Sequence, residues 1–141
     1  MDKNFYLISK ENEKIKFSSD LKNYSSLLFD MLENDDIYDE IDVDIPITKF
    51  SSEVLNKMIE FFDYYKEKPY TYLNKPLKSP NLSDNISDTW YSTFIESDEI
   101  SEEFLFDLMD CANFFSFNAL LELCCAEAGS ILYKQDLNKE T

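Results

Sequence analysis

The chain contains no histidine and no arginine, and its single glycine is Gly129. Each of these shortages excludes a class of chemistry. Without histidine there is no Ser-His-Asp or Cys-His nucleophile system, no ordinary zinc enzyme site and no group whose unperturbed pKa lies near neutrality. With one glycine, neither GxGxxG nor GxxxxGK[ST] can be written, so the usual phosphate cradles are missing. Thirteen lysines face 29 acids, a formal charge of −16 with a pI near 4.2. A phosphate-tracking surface draws its affinity from clustered cations, so nucleic acid is not an expected partner. No run approaches the roughly 18 apolar residues of a membrane span, and Met1-Asp2-Lys3-Asn4 leads into no signal core. The expectation is an intracellular protein of the cytoplasm or nucleus, without a membrane partner. Three cysteines, Cys111, Cys124 and Cys125, are an odd number without a CxxC pair. They are expected to be reduced, small, buried apolar side chains in a reducing compartment.

What remains is one domain's worth of material. The 141 residues are 44% hydrophobic and 16% aromatic, with twelve Phe, nine Tyr and one Trp to fill a core. Disorder from end to end is excluded on that composition. The only catalytic residue types present are acids, Lys, Ser, Tyr and Cys, and no constellation of them stands out; Asp107 with Asp110 reads as a solvated helix face. No enzyme, no cofactor and no metal are expected.

Periodicity orders the chain. Phe5 to Ser9 and Ile15 to Phe17 alternate about a polar turn, as in a β-hairpin. Leu21, Tyr24, Leu27, Leu28, Met31 and Leu32 recur at three and four, predicting a helix from about Ser25 to Glu33. From Asp30 to Asp44 come eight acids (Asp30, Glu33, Asp35, Asp36, Asp39, Glu40, Asp42 and Asp44) and no lysine. A calcium loop fails there, because Ile45 stands where the turn needs glycine and Ser51 where the twelfth position needs Glu. The stretch reads as a solvated acidic loop that runs into a strand, Ile41, Val43, Ile45 and Ile47 alternating with Asp42, Asp44 and a Pro46 that requires an edge.

Ser51 is the expected cap of a core helix running to about Lys66. Residues 68–89 hold three prolines among polar residues with no sustained period, and are expected to form a mobile insertion loop. Order resumes at Trp90 and Phe94, and Asp98 or Ser101 caps the next helix. There, Leu105, Leu108, Met109, Ala112 and Phe115 form an inner stripe, while Phe106, Asp110, Asn113 and Phe114 share another face. Two phenylalanines on a polar face indicate either a further packed layer or a partner surface. Asn118 is the expected cap of a last helix through Leu132, leaving 134–141 as a polar tail after a single domain over 1–133.

In ordered succession these segments resemble the Skp family of adaptors in SCF ubiquitin ligases, which has the BTB/POZ fold. Ile45-Pro46-Ile47, Val54-Leu55-Asn56-Lys57-Met58-Ile59 and Lys66-Glu67-Lys68-Pro69 match the family's V-P-L, I-L-K-K-V-I and K-D-D-P at ungapped spacing. Trp90 and Phe94 match a W-x-x-x-F. Leu105-Phe106-Asp107-Leu108, Ala112-Asn113-Phe114 and Leu120-Leu121-Glu122-Leu123-Cys124-Cys125 match L-F-E-L, A-N-Y and L-L-D-V-T-C, so the likeness spans about Tyr6 to Leu132. It implies an α+β chain with a small three-stranded sheet and five to six helices. It further implies a non-catalytic adaptor, monomeric before assembly, that bridges a cullin to an F-box protein or another substrate receptor. By resemblance the cullin-binding residues are Asn113, Phe114, Phe106 and Asp110. Phe114 keeps the family's ring without its hydroxyl, and Asp110 stands where the family is apolar. By resemblance the F-box-binding residues are Leu121, Cys125, Ala128 and Leu132. Family members continue into two further helices that clasp the F-box, and nothing in this sequence is similar to them. A cullin-binding decoy, a BTB homodimer and an elongin C-like adaptor are the alternatives that follow.

Overall fold

In the computed structural model, which describes residues 4–32, 42–70, 73, 78–79, 81–97 and 99–139, with side chains up to 135, the fold is α+β. Strand β1 (Asn4–Ile8) pairs antiparallel with β2 (Lys14–Phe17) and parallel with β3 (Asp42–Pro46), giving the order β2-β1-β3. The register explains the alternation in all three strands. Phe17, Phe5 and Val43 form one transverse row and Ile15, Leu7 and Ile45 the next, all buried on the same face. On the opposite face Lys14 reaches Asp44 at 3.2 Å across the sheet. Pro46 lies on the outer strand, where its missing N–H breaks no ladder. The hairpin turns through Asn12 at φ 67°, a left-handed position that Asn tolerates better than most residues.

The described residues form five α-helices, α1 (Ser26–Leu32), α2 (Ser52–Tyr65), α3 (Thr89–Ile95), α4 (Glu102–Phe115) and α5 (Asn118–Lys139), of which α2 packs on β2 and α4 on α1, α2 and α5. Ser51 and Ser101 cap α2 and α4 by accepting from the N–H groups of Val54 and Phe104. A second device holds the start of α2: Glu11 of the hairpin turn accepts from the Ser52 N–H at 2.6 Å, which draws its carboxyl below the ordinary range. Phe61, Phe62 and Tyr65 of α2 meet Tyr91 of α3 and Phe117, with ring centroids 5.3–6.4 Å apart. This aromatic centre joins the helices to one another.

Several boundaries differ from the sequence reading. Within 68–89, expected as a mobile insertion loop, Leu82, Asn85 and Ile86 are buried. Leu82–Asp84 is a 3-10 turn packed on α3, and Asn85 closes it by donating to the Ser79 and Asn81 carbonyls at 3.0 Å. Asn118 is the first residue of α5 rather than its cap; the Phe117 carbonyl already accepts from Leu121 N–H. The helix then continues to Lys139, so most of the stretch expected as a polar tail is helical. Its residues are adequate helix formers with no Pro to stop them, and polarity alone does not end a helix. Cys111 and Cys124 are buried as expected, but Cys125 is exposed, one residue of helix rotation away from the core-facing phase. Most of the acidic stretch, 33–41, and Asp98 lie outside the described residues.

Candidate functional site: an aromatic face on the fourth helix

The phase of α4 is set by its buried side, where Leu105, Leu108, Cys111, Ala112 and Phe115 face the core. Burial raises the Cys111 thiol to about 12, with Asp110 adding to the effect, and its sulfur sits 3.7 Å from that of Met58. It behaves as a packed apolar group. The opposite phase brings Phe106, Asp110, Asn113 and Phe114 to the surface together, as the spacing predicts. Phe106 is 59% exposed and Phe114 37%. A further packed layer over these two rings is therefore absent among the described residues.

Phe114 is packed on one side. Its ring lies edge-on to Phe50, centroids 5.5 Å apart, and to Phe115 at 5.3 Å. The Lys49 ammonium stands 5.3 Å from the Phe50 ring and 5.6 Å from that of Phe114. Lys49 and Phe50 follow β3 in the chain, and sequence reasoning missed them as part of this face. Phe50 carried a signal only as an apolar residue just outside the strand's alternation, and its contact with a residue 64 positions later has no local signature. With Lys49 and Asp110, the face offers two rings, one side-chain amide and one charge of each sign. It holds no nucleophile paired with a base.

Below this face α4 ends on Ser116, whose N–H reaches the Ala112 and Asn113 carbonyls and whose φ of 56° turns the chain back on the helix end. Phe117 N–H also returns to the Ala112 carbonyl, and its side chain is buried. The turn fixes where α5 begins. On α5, Leu121, Cys125, Ala128 and Leu132 fall at i, i+4, i+7 and i+11, a single line along the helix. Leu121 and Ala128 are half-buried, Cys125 exposed, and Leu132 61% exposed with Tyr133 beside it. Tyr70 packs near the start of this helix, its hydroxyl 2.9 Å from the Ala119 carbonyl and 3.0 Å from the Glu122 carboxylate. Burial, reinforced by the Glu122 charge, pushes the phenol well above its ordinary range, so it stays a neutral donor.

Among the described residues no group of three acids or cysteines is placed to hold a metal ion, and no helix is long and apolar enough to cross a membrane.

Residues 3–67 match the Skp1 family, tetramerisation domain. Over 126 residues, 89% of its length, the chain is 30% identical to the S-phase kinase-associated protein 1 homolog of Tetrahymena thermophila, covering 72% of that protein. It is 27% identical over the same share to Suppressor of kinetochore protein 1 of Schizosaccharomyces pombe, covering 74% of it. The E3 ubiquitin ligase complex SCF subunit sconC of Arthroderma benhamiae is also 27% identical, with 73% covered. The family match spans the sheet and the core helix, and with 30% identity over 89% of the chain it shows that the chain belongs to the Skp1 family.

Proposed function

We propose that this chain is a non-catalytic adaptor of an SCF-type ubiquitin ligase, bridging a cullin scaffold to an F-box protein or a receptor of that kind. Membership of the Skp1 family and the SCF subunits among the relatives support the adaptor role. The observation that carries the assignment of a face is the joint exposure of Phe106, Asp110, Asn113 and Phe114 on a helix whose other side is fully packed. Aromatic side chains held rigid before binding lose little entropy on docking, which is what an interface centre requires. The cullin is assigned to this face. The receptor is assigned to the line of Leu121, Cys125, Ala128 and Leu132 on α5.

The test is a double substitution, Asn113→Lys with Phe114→Lys, in a pull-down against cullins. Loss of cullin capture, in a variant that circular dichroism shows still folded at the assay temperature, is the expected result. Retained capture overturns the assignment of the face. Cullin captured by the unsubstituted chain without any F-box protein, from a host expressing both, would replace the bridging role with that of a decoy.

A further inference from the structure

A cavity of about 260 Å³ lies between the end of α3, the start of α4 and the middle of α5, at the opposite end of α4 from Asn113 and Phe114. On α4 its lining stops at Leu105, whereas Phe114 is nine residues further, about 13 Å along the helix. Glu127 of α5 lines it. This side chain is only 5% exposed, and its Oε2 makes no hydrogen bond among the described residues. An oxygen in that position loses water without a hydrogen bond in exchange, and the Lys134 charge offsets only part of that loss. Glu96, at the end of α3, lies near enough to repel it, and Glu102 in the first turn of α4 adds a third acid to the lining. The one cation there is Lys134, two turns further along α5 and exposed. The charge balance of the lining is thus two negative. Ile95, Leu105 and Ile131 supply apolar wall.

We propose that this cavity is a docking site for an arginine side chain of a partner polypeptide, with Glu127 at its floor and Glu96 beside it. The acids are not grouped as metal ligands, so a divalent ion is not the complement they are built for. A single extended cation is. The apolar wall suits the aliphatic stem of arginine, and a guanidinium has enough donors to serve Glu127 and Glu96 together. It is also more weakly hydrated than an ammonium, which favours its entry into a half-closed site. The elevation of the Glu127 carboxyl, caused first by burial and then by Glu96, is the cost that such a cation would relieve.

The experiment uses the full chain labelled with nitrogen-15 and titrated with N-acetyl-arginine methylamide at pH 8, with N-acetyl-norleucine methylamide as the uncharged control. Saturable shifts of the Glu96, Ile100, Glu127 and Ile131 amides are expected with arginine and not with norleucine. Glu127→Gln, which keeps the shape and removes the charge, should weaken the arginine response by about tenfold, the low end for a charge-assisted contact. Equal responses to the two probes, shifts centred elsewhere, or an unchanged affinity in Glu127→Gln each overturn the proposal. A chain that responds only after Lys134→Met would assign the cavity to its own lysine and overturn it likewise.

Discussion

Glu127→Gln has a consequence for stability that is separable from any ligand. The Glu127 carboxyl is raised from 4.5 to about 7, by burial first and by Glu96 second, while Lys134 acts weakly the other way. The folded state therefore holds this proton more tightly than the unfolded chain, and stability falls as pH rises from about 4.5 to about 7. The penalty is nearly absent at the low end of that window and complete above it. Its ceiling is about 3 kcal/mol, which water entering the open cavity trims to about 1–2 kcal/mol. Glutamine does not titrate, so at pH 8 the variant should be more stable than the native chain by that amount. For a chain of this length that is about 3–7 °C in Tm. At pH 5, above the pI of 4.2, the advantage should shrink to about 0.7 kcal/mol, because the unfolded carboxyl is already mostly ionised there. Other acids also change the native protein between these conditions, and the difference between variant and native cancels them. Differential scanning calorimetry of both chains at the two pH values reads it directly. A Tm difference that is the same at pH 5 and pH 8, or a variant less stable at pH 8, refutes the reasoning.

Two further substitutions test the local physics around the proposed surfaces. Ser116 holds a left-handed conformation at the end of α4 that disfavours any Cβ, so Ser116→Gly should stabilise the chain by about 0.5–1 kcal/mol once the entropy of glycine is set against the relieved strain, read as a rise in Tm. Asp88 accepts from the Tyr64 hydroxyl at 2.6 Å and from Trp90 N–H at 2.9 Å, interactions that lower its carboxyl below 3.8. Asp88→Ala should cost about 1 kcal/mol at pH 7. The native advantage is present above the unfolded pKa and is lost as pH falls through the lower folded value. Trp90, stacked on Tyr64 with centroids 4.0 Å apart, is the sole tryptophan, and its emission provides the unfolding signal.

The strands and most helix starts were legible because they depend on neighbours in sequence. Phe5 and Leu7, Ile15 and Phe17, and Val43 and Ile45 each announce a buried face by period two, and Ser51 and Ser101 each stand three residues before the N–H they cap. The end of α5 was not legible, because nothing between Tyr133 and Lys139 forbids a helix and nothing apolar demands one. The packing of Leu82, Asn85 and Ile86 was hidden by the prolines before them and the polar residues around them; their burial comes from α3 and α5, which lie later in the chain. On α4 periodicity alone gathered Phe106, Asp110, Asn113 and Phe114, but it could not supply Lys49 and Phe50. Glu127 did leave a signal. Leu120, Leu123 and Cys124 set the buried phase of α5, and the next position on that stripe is 127. A carboxylate in the core phase of a helix is the kind of exception that marks a site.

A bridging protein has no chemistry to perform, so its output is the relative placement of two surfaces. Here that placement rests on very little chain. The proposed cullin face ends at Phe114 on α4, the proposed receptor line begins at Leu121 on α5, and only Ser116 and Phe117 separate the two helices. Ser116 closes α4 without a glycine's freedom. Phe117 is buried against Phe61, Phe62, Tyr65 and Tyr24, with centroids 5.3–6.3 Å apart. A ring held on several sides resists both rotation and withdrawal, and close-packed interiors transmit displacement rather than absorb it. The angle between α4 and α5 is therefore set by α2, which supplies three of those rings and sits outside both proposed surfaces. This accounts for the concentration of aromatic residues at the helix junction: they fix the angle between the two proposed docking surfaces.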